Sequence, residues 1–230
     1  KGSRLDDCSV KNGYETIHDK EAKRAAGEIK LLSPEGTERA FVATVAWGNA
    51  GFFSDDVVWS QTNTGPLTPE NPLKLQFANA DLRIDRTISI DSDYMFVIAD
   101  VLTNLGAAPL TVQPSAQVRQ RLLPEHTTTP VSEQQAHRGA LGVYGAEKNQ
   151  QINYHDLSQG KAVSKIVTGG WNALTTKYWM AAVVPEQNEP VTMIANTTEP
   201  IASGSQPPSK ILVSAAESSV ASMMKKNAVA

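Results

Sequence analysis

The sequence predicts an all-β fold: face-packed antiparallel sheets followed by one late helix. Three observations carry this. Leu82–Ile90 alternates with period two, Leu82, Ile84, Ile88 and Ile90 on one face and Arg83, Asp85, Thr87 and Ser89 on the other, with Arg86 breaking the apolar side. Tyr94–Leu102 is apolar on both faces, as expected of a strand between two layers. Gly, Pro and Asn clusters punctuate these runs at turn positions. Strands are expected over more than ~40% of residues, against an ordinary share of roughly a quarter.

The elements follow in chain order. Lys1–Val10 opens with a short segment, and Asp19–Gly27 is charged and reads as a loop. Glu28–Leu32 leads into Ser33-Pro34-Glu35-Gly36-Thr37, a turn with Pro at its first corner and Gly two later. Phe41–Trp47 alternates large and small residues and reads as a strand, and Val57–Trp59 is a brief extended piece. Gln61–Pro72 carries prolines at 66, 69 and 72, a spacing that only a loop survives. Leu73–Phe77, Leu82–Ile90 and Tyr94–Leu102 form consecutive antiparallel strands, the last two joined by the turn Asp91-Ser92-Asp93. Leu110–Val112 and Gln117–Leu123 follow as strands, then a loop over Pro124–Gln135. Gly139–Tyr144, Ile152–Leu157 and Lys161–Val167 are short extended pieces.

Thr168–Pro185 organises the chain. Gly169 and Gly170 permit backbone conformations closed to other residues, and Trp171, Tyr178 and Trp179 offer large apolar area. Met180–Val184 is a short apolar run closed by Pro185, read as a buried strand. Both Trp171 and Trp179 are expected to be largely buried. Val191–Ala195 adds a further strand, and Pro200–Ser209 is a Ser/Gly/Pro linker. Ile211, Leu212, Ala215, Ala216, Val220, Met223 and Met224 fall at helical spacing, with Lys225 and Lys226 where they favour the dipole. The expected organisation is therefore a β domain over 1–199, a linker over 200–209 and an amphipathic helix over 210–226.

Composition narrows the function. A net charge of −3, from 21 basic and 24 acidic residues, argues against a nucleic-acid surface. A domain of 230 residues buries roughly 70% of its unfolded surface and needs no staples. The single cysteine, Cys8, excludes an internal disulfide and reads as a small buried hydrophobe. No apolar run reaches the ~18 residues of a spanning helix, and Lys1-Gly2-Ser3-Arg4 carries no leader-like apolar stretch. His18, His126, His137 and His155 never pair at a metal-ligand spacing. Asp6-Asp7, Asp55-Asp56 and Asp91/Asp93 lack a calcium-loop pattern, and turn chemistry explains the last pair. No nucleophile elbow, P-loop or dinucleotide fingerprint occurs. The expectation is a non-enzymatic domain without catalytic residues, metal or cofactor.

One set of residues resembles a known family. Gly169, Gly170, Trp171, Lys177, Tyr178, Trp179 and Pro185, in that order and spacing, resemble the large periplasmic domain of bacterial YidC-type membrane protein insertases. Lys1-Gly2-Ser3-Arg4-Leu5-Asp6-Asp7, Tyr14–Thr16, the Ser33–Thr37 turn and the hairpin from Asp91 through Leu110 add to the match, which covers Lys1–Gln187 in patches. The resemblance implies a twisted β-supersandwich similar to galactose mutarotases. It implies a soluble segment on the periplasmic face of the inner membrane, tethered in its parent. Sec translocon components and nascent inner-membrane proteins would be partners through that parent. Two other classes fit the same fold. One is a carbohydrate-binding or mutarotase-like protein, which needs an imidazole, of His137 or His155, near a carboxylate in a pocket. The other is a lipid or peptide binder, which needs an open apolar groove.

Overall fold

The computed structural model describes residues 4–5, 8–13, 20, 27–32, 41–48, 57–93, 95–121, 137–147, 149–176, 179–197, 210–217 and 221–223. Strands dominate them. In chain order these are β1 (Arg4–Leu5), β2 (Cys8–Gly13), β3 (Gly27–Leu32), β4 (Phe41–Gly48), β5 (Ser60–Gln61), β6 (Leu73–Ala78), β7 (Leu82–Ile90), β8 (Phe96–Asn104) and β9 (Leu110–Arg121). There follow β10 (Gly139–Tyr144), β11 (Gln150–Asn153), the one-turn helix α1 (Tyr154–Ser158), β12 (Val163–Thr168), β13 (Gly170–Thr175), β14 (Met180–Val183), β15 (Pro190–Thr197), β16 (Lys210–Glu217) and β17 (Ala221–Met223). All the paired strands whose register is defined run antiparallel. The all-β reading holds.

The chain divides into two compact units. The first collects Lys1–Ser3, Val45–Pro114 and Val220–Ala230, and the second Arg4–Thr44 and Ser115–Ser219.

The first unit is built on the meander β5-β6-β7-β8. Leu82, Ile84 and Ile88 of β7 are fully buried, as the alternation requires. Arg86, in register with them, is buried too. The Asp91–Asp93 turn is an Asx turn: the Asp91 carboxylate accepts from the Asp93 amide (2.8 Å) and the Met95 amide (2.9 Å). β8 departs from expectation. Only the Phe96, Ile98, Asp100, Leu102 side is shielded; Val97 and Val101 are 58% and 65% exposed, so this strand does not lie between two layers.

The second unit is a sandwich. One layer is the sheet ordered β1-β4-β9-β16-β15-β12, and the other is β11-β10-β13-β14, with the ribbon β2-β3 beside them. β13 packs across β15 and β16. The core between layers holds Val118, Tyr144, Tyr154, Leu157, Leu174 and Met193, with Cys8 packed against it. Each such side chain contributes about 1.5–3 kcal/mol of transfer free energy.

Two expectations are corrected. The stretch expected as a helix over 210–226 is strand at Lys210–Glu217 and Ala221–Met223. β16 pairs with β15 on one side and β9 on the other, so its backbone fills the gap between two open edges. That demand overrides the helical spacing of its apolar residues, and β-branched Ile211 and Val213 suit an extended chain. The piece Ile152–Leu157 is strand only to Asn153. There the Asn153 side chain accepts from the Asp156 amide (2.7 Å) and caps α1. The linker over 200–209 lies outside the described residues.

Candidate functional site

The glycine–tryptophan stretch forms the β13–β14 hairpin. Gly169 and Gly170 have φ of +76° and +108°, the left-handed side that favours glycine. A Cβ on Gly170 would sit 2.0 Å from the Val143 carbonyl oxygen, so glycine there lets β10 and β13 approach. Gly170 would also face Pro185 one step beyond the β13–β14 ladder, and Pro185 has no amide to donate. The Gln187 side chain replaces that amide. Its Oε1 accepts from the Gly170 N–H (2.9 Å), while its Nε2 donates to the carbonyls of Gly170 (3.0 Å) and Pro185 (2.7 Å). At the other end Thr176 N–H donates to the Trp179 carbonyl (2.8 Å) and the Trp179 amide to the Thr176 hydroxyl (3.2 Å).

The aromatics are less buried than expected. Trp171 and Trp179 are both half-buried, and the Trp179 indole N–H is shielded without a partner. Trp171 lies opposite Val143, on the outer side of its sheet; the inner side of β13 gives Asn172 and Leu174 to the core. Lys177 and Tyr178 lie outside the described residues.

Two buried polar clusters escaped the sequence reading. In the first unit Arg86 and Asp100 pair directly across β7 and β8, Nε to Oδ1 at 2.7 Å and Nη2 to Oδ2 at 2.6 Å. Their side chains are 0% and 2% exposed. The guanidinium lies 4.7 Å from the centroid of Trp59, which contacts Phe77. The turn read as Asp91–Asp93 would set Arg86 opposite Ile98; the observed register, with Ile90 facing Phe96, sets it opposite Asp100. In the second unit the Tyr154 hydroxyl bonds the Gln120 side chain and the Thr175 carbonyl (3.0 Å). Burial pushes that hydroxyl well above its ordinary pKa, slightly offset by the Arg138 charge. Burial likewise pushes Tyr144 up to about 12, partly offset by its bond to Asn172. Both clusters tie strands together through buried hydrogen bonds.

The expected non-sites fall as follows. His137 Nε2 contacts the Ala140 carbonyl at 2.9 Å, and His155 is exposed on α1. Among the described residues neither imidazole bonds a carboxylate, and no group of three His, Cys, Asp or Glu could hold a metal ion. His18, His126, Asp6, Asp7, Asp55 and Asp56 lie outside the described residues. Among the described residues no helix is long and apolar enough to cross a membrane.

Comparison with known proteins shows the family. The model of the YidC periplasmic domain family matches residues 1–223. A membrane protein insertase YidC of Nitrobacter hamburgensis is 36% identical over 193 residues, covering 81% of this chain and 30% of that protein. Relatives of the same name in Methylorubrum extorquens and Brucella suis are 35% and 32% identical, covering 84% and 83% of this chain and 32% and 31% of theirs. The chain thus spans about a third of the length of the relatives it matches. With a family match that runs through both units and through the Gly169–Pro185 hairpin, this chain belongs to the YidC periplasmic domain family.

Proposed function

We propose that this chain is the extracytoplasmic accessory domain of an insertase that inserts and folds inner-membrane proteins. The observation that carries the reading is the family match over residues 1–223, beside relatives about three times as long that bear the insertase name. In this reading the insertion work belongs to the rest of the parent protein. The domain stands on the periplasmic side as a platform for Sec translocon components. Its distinctive residues support a platform: Gly170, Pro185 and Gln187 shape backbone, and the buried ion pair fixes two strands. None of them is placed to transfer a proton to a substrate, and the domain is read as non-catalytic.

The test is to delete residues 1–223 from the full-length protein in cells depleted of their own insertase. Site-specific crosslinking to Sec components and insertion of a single-span client are then measured. The expected result is loss of the Sec crosslinks with insertion of the simplest clients retained. Undiminished Sec crosslinking after the deletion would refute the platform role. Histidine-dependent acceleration of sugar mutarotation by the isolated chain would refute the non-catalytic reading.

A further inference from the structure

We infer that β8 is a self-association edge, through which two copies of this chain join by antiparallel strand pairing centred on Ala99. Free strand edges normally carry devices against such pairing, and four other sheet ends among the described strands have them. β5 has two residues, β14 has four and is followed by Pro185, β11 runs directly into α1, and β12 carries Lys165, paired with Glu147 at 2.6 Å. β8 has nine residues with no proline or lysine. Its only charge, Asp100, is turned inward and neutralised by Arg86. Its outer face presents Val97, Ala99 and Val101, continued by Met95, which is 53% exposed.

The backbone is set for a partner. Asp91 N–H donates to the Met95 carbonyl (3.1 Å) and Leu105 N–H to the Asp81 carbonyl (2.8 Å), bracketing the β7–β8 ladder. Odd-numbered residues of β8 therefore bond β7, and Phe96, Ile98 and Leu102 turn their N–H and C=O groups to the open side. A two-fold interface must be self-complementary. Pairing about Ala99 meets that demand: Val97 of each copy faces Val101 of the other, and Phe96 faces Leu102. Ile98 faces Asp100, so no like charges oppose. Pairing about Asp100 would instead set the two carboxylates against each other, which is destabilising. In the favoured register the two Ala99 residues form a non-hydrogen-bonded pair, with Cα atoms about 4.5 Å apart, within reach of a disulfide.

The test uses the whole chain with Cys8→Ser. Sedimentation equilibrium should show a mass that doubles with concentration, and the amides of Phe96, Ile98 and Leu102 should gain hydrogen-exchange protection in step. Ala99→Cys should oxidise to a covalent dimer much faster than Ala182→Cys, a control on the exposed face of β14. Val97→Lys with Val101→Lys, checked for an unchanged circular dichroism spectrum, should remain monomeric. A monomer at every concentration overturns the proposal, as do equal oxidation of the two cysteine variants or a dimer that survives the lysines. A monomer that instead takes up an extended apolar peptide on β8 overturns it in favour of a client-binding edge.

Discussion

Arg86 and Asp100 show what a charge inside this fold costs when its partner is lost. Removing one member leaves the other desolvated and unneutralised, so Asp100→Ala should destabilise by about 3–5 kcal/mol. Replacing both, as Arg86→Met with Asp100→Leu, should cost clearly less than either single loss, because no charge stays buried. Urea midpoints of the three variants check the ordering. Gly170 and Gln187 give a second ordered pair. Gly170→Ala must shift Val143 or the hairpin and should cost roughly 2–5 kcal/mol. Gln187→Ala removes bonds near solvent and should cost only about 0.5–1.5 kcal/mol. Tyr144 supplies a pH test. Its folded-state pKa of about 12 exceeds the ordinary 10.0, so the native state keeps a proton that the unfolded chain releases. The group leaves stability unchanged below pH 10, and stability falls as pH rises from about 10 to 12. Thermal unfolding of wild type and Tyr144→Phe across that window measures it, the variant falling less steeply.

At the scale of elements the decisive strand is β16, held by ladders to both β15 and β9. A chain ending at residue 209 should therefore lose cooperative unfolding and aggregate, since two long edges are bared. A dispensable docked helix in its place would leave the sandwich folded, and unfolding curves with light scattering separate the outcomes. This element also marks where the sequence stopped being legible. Leu82–Ile90 and its turn could be read directly, because alternation and Asx chemistry are local. In Gly169–Pro185 the strand itself was legible, but not its burial: Met180–Val184 reads as a buried run, whereas β14 is an edge strand with Met180 and Val184 exposed. β16 could not be read so, since the apolar residues of KILVSAAE satisfy either period and only the vacancy between β9 and β15 decides. The exposed face of β8 misled in the opposite sense: apolar residues implied a covering layer, and none covers Val97 or Val101. The Arg86–Asp100 pair needed register as well as pattern, and Gln187 needed the knowledge that Pro185 leaves Gly170 without a donor.

For the whole molecule, both units are assembled from separated segments, so neither corresponds to one continuous piece of chain. Most neighbours in space are far apart in sequence, as in other β sandwiches. Refolding followed by tryptophan fluorescence should accordingly be slow, roughly milliseconds to seconds, and a microsecond phase accounting for the whole change would contradict the topology. The position of β16 between β15 and β9 also sets a schedule for the newborn chain. β9 ends at Arg121, and the strand that closes its side begins at Lys210. Roughly ninety residues of synthesis separate them, about 5–20 seconds at ordinary elongation rates. Throughout that interval β9 waits with one side open, until β16 covers its Ser115–Arg121 part and β17, emerging after it, pairs with Leu110–Val112.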